Sequence, residues 1–284
     1  MSGQLTSDHL CSVSDTLIDL RLNNNSFTGK IPRLDCTMDK LELLSLGEND
    51  LTGSIPNMLG GKLPELKELH LYENRLISTI PKTIFDPEQL TAVLLGNNEL
   101  TGSLTADMVD GATNLAHLYV NSNRLSGNLD DFATATNLDS LQKLRLEFND
   151  FTGTIPKLNM IDTLELLYLY NNSFTGTLDN LGSATKLRKL KVSNNTLEGE
   201  ISSELGELKH LEVLSLNGNK FVGTLPNQFE KLSALEELRV ENNDISGDVP
   251  SGVCKLRKST LGLFSSDCGG KLPEFSCSCC TECI

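Results

Sequence analysis

The chain of 284 residues contains no tryptophan, and only 5% of it is aromatic. With 38% hydrophobic residues, that scarcity excludes a thick globular core built on large rings and leaves room for a thin, elongated one. Positive charge is also in short supply: 24 Lys and Arg stand against 38 Asp and Glu, a net charge of −14. Phosphate neutralisation needs a basic surplus, so the balance argues against a nucleic-acid partner. No stretch approaches the roughly 20 apolar residues needed to cross a bilayer as a helix. The opening MSGQLTSDHLCSV has no basic segment leading into an apolar one, so no signal peptide is visible. Catalytic and cofactor signatures are missing too. There is no H-E-x-x-H, and Gly61-Lys62 and Gly270-Lys271 lack the earlier glycine and the following Ser or Thr of a phosphate loop.

What fills the chain is a repeat. The pattern L-x-x-L-x-L-x-x-N-x-L-x-G-x-I-P can be laid down ten times without a gap, its register marked by Asn25, Asn49, Asn74, Asn98, Asn123, Asn149, Asn172, Asn195, Asn219 and Asn243. Clear copies are LIDLRLNNNSFTGKIP from Leu17, LELLSLGENDLTGSIP from Leu41 and LQKLRLEFNDFTGTIP from Leu141. Alternation within L-x-x-L-x-L sets Leu44 and Leu46 on one face and Leu43, Ser45 and Gly47 on the other, as a half-buried strand requires. Each repeat is read as one short strand. The period, near 24, leaves too little chain for a full return helix, so turns and 3-10 segments are expected there. Stacked coils bury a leucine ladder that no single repeat could bury. The register Asn is read as structural, an amide that satisfies backbone groups of neighbouring coils. Phe27, Phe151, Phe174 and Phe221 stand where other repeats have Leu or Ile and are read as core. A glycine recurs at one turn position, replaced by Ser78 in the third repeat.

These residues resemble the leucine-rich repeat, in the plant-type subclass marked by L-x-G-x-I-P. The resemblance covers residues 17 to 250. It implies an α/β solenoid, a right-handed leucine-rich repeat superhelix with a parallel concave β-sheet and mostly turns and 3-10 segments on the convex side. The domain reading is a short N-terminal cap over 1–16, a ten-repeat solenoid over 17–253 and a cysteine-rich C-terminal cap over 254–284.

The cysteines lie at the two ends. Cys11 and Cys36, one coil apart, are expected to form a disulfide that pins the first cap. Relatives of this type usually carry a longer first cap with paired cysteines, which points to a divergent cap or a truncated start. Cys254, Cys268, Cys277, Cys279, Cys280 and Cys283 follow the last repeat, and the ending CSCCTECI resembles the closing segment of plant-type repeat proteins in diatoms. Six cysteines leave the connectivity open. Even numbers confined to caps read as disulfide staples in an oxidising compartment. The competing reading is a thiolate metal clip, which adjacent cysteines and the absence of a nearby His disfavour; no metal or cofactor is expected.

Function in such a coil belongs to the outward strand positions: the third, fifth, seventh and eighth of each L-x-x-L-x-L-x-x-N unit. All four tyrosines fall there: Tyr72, Tyr119, Tyr168 and Tyr170. His70, Leu94, His117, Lys143, Arg145, Phe148, Lys189 and Lys191 share the face, defining a candidate ligand patch. Down the fifth column Arg145 stands one strand from a Tyr on either side, suited to cation–π contact. Six basic and seven acidic residues occupy the face, so the acidic excess lies elsewhere. Glu68 and Glu73 lie near His70 in sequence, but an open face does not exclude water, and His70 and His117 are two strands apart in different columns. Three sequons make Asn24, Asn171 and Asn194 glycosylation candidates beside the register Asn. The resemblance implies a non-enzymatic extracellular or cell-surface recognition module that binds a protein or peptide through the aromatic and basic patch. The alternative is a structural, adhesion or wall-associated repeat protein meeting a polysaccharide or ice surface, which a regular polar ladder on one face would favour.

Overall fold

The structure is a computed structural model that describes residues 1–57, 59–158, 162–268 and 275–284. Gly270-Lys271 lies outside the described residues. The chain divides into two compact units, Met1–Asp150 and Phe151–Ile284.

In the first unit the concave strands are Asp19–Arg21, Leu43–Ser45, Glu68–His70, Ala92–Leu94, His117–Tyr119 and Lys143–Arg145, each parallel to its neighbour. Register is exact from repeat to repeat: Leu20 faces Leu44, then Leu69, Val93, Leu118 and Leu144. Leu69, Val93, Leu118 and Leu144 are fully buried, the ladder that the alternation predicted. In the second unit Leu166–Tyr168, Lys189–Lys191, Val213–Ser215 and Glu237–Arg239 repeat the arrangement. Leu263–Ser266 and Glu282–Cys283, beyond the tenth repeat, extend the same ladder.

Each repeat contributes two strands, not one. In the first unit Ser26–Lys30, Asp50–Gly53, Arg75–Thr79, Glu99–Gly102 and Arg124–Gly127 form a flanking parallel set that begins with Ser2–Gln4. The cause is a bend at the eighth position, where the backbone is left-handed in every repeat: Asn24, Glu48, Glu73, Asn97, Ser122, Phe148, Asn171, Asn194, Gly218 and Asn242 have φ between 52° and 66°. After it the chain extends again through x-L-x-G, and the leucine (or Phe) of that segment turns inward. Phe151 and Phe174 stack in the second unit at 6.2 Å, and both are fully buried. On the return path the described residues form short 3-10 segments such as Lys82–Phe85, Ser203–Glu207 and Asn227–Lys231, with helices no longer than Ser251–Leu256.

The register Asn is the hub of each bend. Asn195 Nδ2 donates to Leu169 O at 3.1 Å, Val192 O at 3.0 Å and Ser193 O at 3.2 Å, while its Oδ1 accepts from Phe174 N at 2.9 Å. The same set recurs at Asn74 with Leu46, Leu71, Tyr72 and Leu51. One amide thus ties its own coil to the preceding one, which only Asn can do with two donors and an acceptor on so short a stem. At the ends, Cys11 is bonded to Cys36, Cys254 to Cys279, Cys268 to Cys283 and Cys277 to Cys280. The sulfurs of Cys268, Cys277 and Cys280 lie within 4.8 Å of one another. As disulfide sulfurs they offer no thiolates to a metal. Among the described residues no helix is long and apolar enough to cross a membrane.

Candidate ligand-binding faces

Exact concave register turns single positions into straight columns. In the first unit the fifth column runs Ser45, His70, Leu94, Tyr119, Arg145, and the third-position column beside it carries Glu68, Ala92, His117 and Lys143. His117 and Tyr119, two residues apart on one strand, stack with centroids 6.0 Å apart and 23° between planes. The Arg145 guanidinium lies 5.3 Å over the Tyr119 ring. Burial raises the Tyr119 phenol above its ordinary value while the Arg145 charge opposes the rise, so the hydroxyl stays protonated and available to donate.

His70 and Tyr72 make a second pair at 6.3 Å and 51°. His70 Nε2 lies 3.0 Å from Glu68 Oε2. Burial pulls the imidazole below its ordinary 6.5, outweighing the Glu68 carboxylate, and Arg21 pushes the same way as burial. The Tyr72 hydroxyl donates to Glu48 Oε1 at 3.2 Å. Its ring lies over the preceding repeat, where a Cβ on Gly47 would meet it at 2.8 Å. Glycine at that position makes the shelf on which Tyr72 rests.

The second unit holds Tyr168, Tyr170, Lys189 and Lys191. Tyr168 and Tyr170 meet edge to face at 6.0 Å, and Lys191 Nζ stands 5.3 Å over the Tyr168 ring. Lys189 faces Leu166 in register. A cation thus stands over an aromatic ring in each unit, Arg145 on Tyr119 in the first and Lys191 on Tyr168 in the second.

Two features of these faces escaped the sequence reading. Glu147 is fully buried, its Oε1 bonded to Arg145 Nε at 2.8 Å and to Nη2. A carboxylate at an outward position gave no sign that it would be enclosed. The eighth position is left-handed, and Phe148 occupies it at φ 54° with 49% of its surface exposed. A bulky residue is costly there, where five repeats use Asn. Among the sequons, Asn24, Asn171 and Asn194 stand at that same bend, and Asn194 Nδ2 donates to Asn171 Oδ1 at 3.1 Å.

Residues 185–245 match the family described as Leucine rich repeat, and residues 40–61 match a second pattern of the same description. Each unit has the leucine-rich repeat solenoid fold. A curated relative, Receptor-like protein 7 of Arabidopsis thaliana, is 56% identical over 34 residues, covering 12% of this chain and 4% of its own length. Among solved structures, the leucine-rich repeat ectodomain of the Arabidopsis receptor kinase HAESA with an IDA peptide hormone is 29% identical at a TM-score of 0.82, covering 97% of this chain and 44% of that one. A TDR receptor is 30% identical at 0.75, covering 93% and 49%. A plant ice-binding protein is 28% identical at 0.61, covering 82% and 83%. This leucine-rich repeat chain spans less than half of either receptor chain.

Proposed function

We propose that the protein is a non-enzymatic, extracellular or cell-surface recognition module that binds a peptide or protein on its aromatic concave faces. The observation that carries this reading is the first-unit cluster of Arg145 over Tyr119, Tyr119 against His117, and His70 beside Tyr72. Tyr and Arg held in fixed orientation lose little entropy on binding and anchor interfaces. Phe148, exposed at a strained backbone position, adds an apolar contact next to this cluster in sequence. The relatives with bound peptide hormones support the class of ligand, and four disulfides support an oxidising compartment. The cap-and-solenoid division at 16/17 and 253/254, and glycan at Asn24, Asn171 and Asn194, belong to the same proposal.

An ordered polar surface such as ice calls for a ladder of like side chains. The threonine of x-[L/F]-T-G recurs in sequence as Thr28, Thr52, Thr101, Thr152 and Thr175, all exposed. However, the flanking strands stack with a stagger of two residues, unlike the concave ones. Thr52 therefore lies between Lys30 and Arg75, and Thr101 between Thr79 and Arg124. The longest threonine row among the described pairings, Thr154, Thr175 and Thr196, is three strands wide. Charges interleaved with threonine favour the concave faces.

The test is to select binders from a displayed random peptide library and measure their affinity for the wild type and for Tyr119→Ala and Arg145→Ala. We expect a loss of about ten-fold or more for each, the scale of one buried anchor. Unchanged affinity in folded variants, or ice-recrystallisation inhibition with no selected binder, would refute the reading.

A further inference from the structure

The C-terminal end of the second unit holds two disulfides side by side. Cys277 is bonded to Cys280 and Cys268 to Cys283, and the sulfurs of Cys268, Cys277 and Cys280 lie within 4.8 Å of one another. None of these three residues is enclosed. Each is half-buried, Ser278 between the first pair is exposed, and so are all of residues 281–284.

The two bonds constrain the chain differently. Cys277–Cys280 closes a separation of 3 residues, against 15 for Cys268–Cys283 and 25 for each of the others. A bond across so short a loop restrains little chain, so opening it frees little of the cap. Cys268–Cys283 instead fastens the last strand of the concave ladder. Glu282–Cys283 pairs with Leu263–Ser266, Glu282 opposite Ser265 and Cys283 opposite Ser266. Thr281 N donates to Phe264 O at 2.8 Å and Ile284 N to Ser266 O at 3.0 Å. A two-residue edge strand with exposed side chains buries too little to resist fraying, and the sulfur bridge supplies its anchor.

The surroundings favour transfer from the first bond to the second. Ser266 is fully buried, and its Oγ lies 3.0 Å from Cys280 Sγ. A disulfide sulfur carries no proton, so the hydroxyl is the donor, placed to stabilise a thiolate on Cys280. A thiol whose thiolate is stabilised leaves more readily. We propose that Cys277–Cys280 is a thiol–disulfide exchange site for a low-molecular-weight monothiol, and that exchange there unfastens the last concave strand. The thiolate of the monothiol attacks Cys277 Sγ: a mixed disulfide forms, the Cys277–Cys280 bond breaks, and the electron pair leaves on Cys280 Sγ. That thiolate attacks Cys268 Sγ, forming Cys268–Cys280 and breaking Cys268–Cys283. The electron pair leaves on Cys283 Sγ, which takes from water a proton equivalent to the one the monothiol gave up. Two protein disulfides and one thiol become one protein disulfide, one mixed disulfide and one thiol, so no oxidant or reductant is consumed. The site does not rest on the aromatic faces being the ligand's seat.

The test treats the full chain with glutathione, without denaturant, at about pH 8, where part of a small thiol is ionised. Free thiols are trapped with N-ethylmaleimide, and unreduced proteolytic peptides are mapped by mass spectrometry. The expected products are glutathione on Cys277, a Cys268–Cys280 link and maleimide on Cys283, with Cys11–Cys36 and Cys254–Cys279 intact. Hydrogen exchange should rise at residues 263–266 and 281–284. Ser266→Ala, its fold checked by circular dichroism, should take up glutathione several-fold more slowly. The double variant Cys268→Ser and Cys283→Ser, which lacks the accepting disulfide, should still take glutathione on Cys277 but carry the maleimide on Cys280. The proposal is overturned by no adduct at a glutathione concentration that leaves Cys11–Cys36 intact, or by a first adduct at any cysteine other than Cys277. Maleimide on Cys280 of the wild type with Cys268–Cys283 unbroken, or an unchanged rate in Ser266→Ala, would overturn it equally. A failed exchange leaves the result for Tyr119 and Arg145 untouched.

Discussion

Replacing Asn195 with Ala removes one hub of the bend ladder and separates two kinds of loss. The carbonyls of Leu169 and Val192 each accept from two asparagines, Leu169 O from Asn172 and Asn195, Val192 O from Asn195 and Asn219. Each would keep one donor. The Phe174 N–H, which donates to Asn195 Oδ1 at 2.9 Å in a buried setting, would lose that acceptor. An unsatisfied buried donor costs about 1–3 kcal/mol, and the weakened carbonyls add about 1 kcal/mol, so the expected loss is about 2–4 kcal/mol. Asn195→Asp keeps the acceptor for Phe174 but sets a carboxylate against three carbonyl oxygens. It should be at least as destabilising near neutral pH and recover in part in acid, where a protonated carboxyl can donate. Urea unfolding followed by circular dichroism gives the magnitude, and exchange of the Phe174 amide localises it, which matters because repeat arrays open in segments. A loss below about 1 kcal/mol with unaltered Phe174 exchange would refute the assignment of the register Asn as the inter-coil tie.

Ser78→Gly should stabilise the protein by about 1 kcal/mol, because Ser78 holds φ 75° at the position where the other flanking strands place glycine; a lowered thermal midpoint would count against it. His70 should make the protein weaker in acid. Its folded pKa lies below its unfolded one, so the unfolded chain binds more protons as pH falls through about 6.5, and the stability present above that value drains away until the folded pKa is passed. The urea midpoint should therefore fall from about pH 7.5 to about 5.5, and less so in His70→Gln. Gly47→Ala should displace the Tyr72 ring, which a Cβ would meet at 2.8 Å. The readout is loss of affinity for a selected peptide with little change in global stability.

The repeat, the leucine ladder and the concave columns were legible because side-chain alternation and the spacing of Asn report backbone geometry directly. The second strand was not legible. Its cause is a left-handed residue at the eighth position, and Glu48, Glu73 and Phe148 stand there with no hint of it, although the asparagines in five repeats carried the signal. Pairing of the C-terminal cysteines could not be read, since six cysteines within 31 residues leave the choice to how the cap folds back. The aromatic residues could be placed on a face from sequence, whereas Arg145 over Tyr119 and the enclosure of Glu147 and Glu241 depend on rotamers and neighbouring coils. The two-residue stagger of the flanking strands was also hidden, and it decides against reading the recurrent threonines as one ladder.

The central claim is that a peptide lies on the concave strands. Hydrogen–deuterium exchange of the whole chain, with and without a selected peptide, tests it most directly. The account predicts protection concentrated in residues 68–73, 92–97, 117–122 and 143–148, with the flanking strands unchanged. Protection confined to Thr28, Thr52, Thr101 and their flanking-strand neighbours would contradict it.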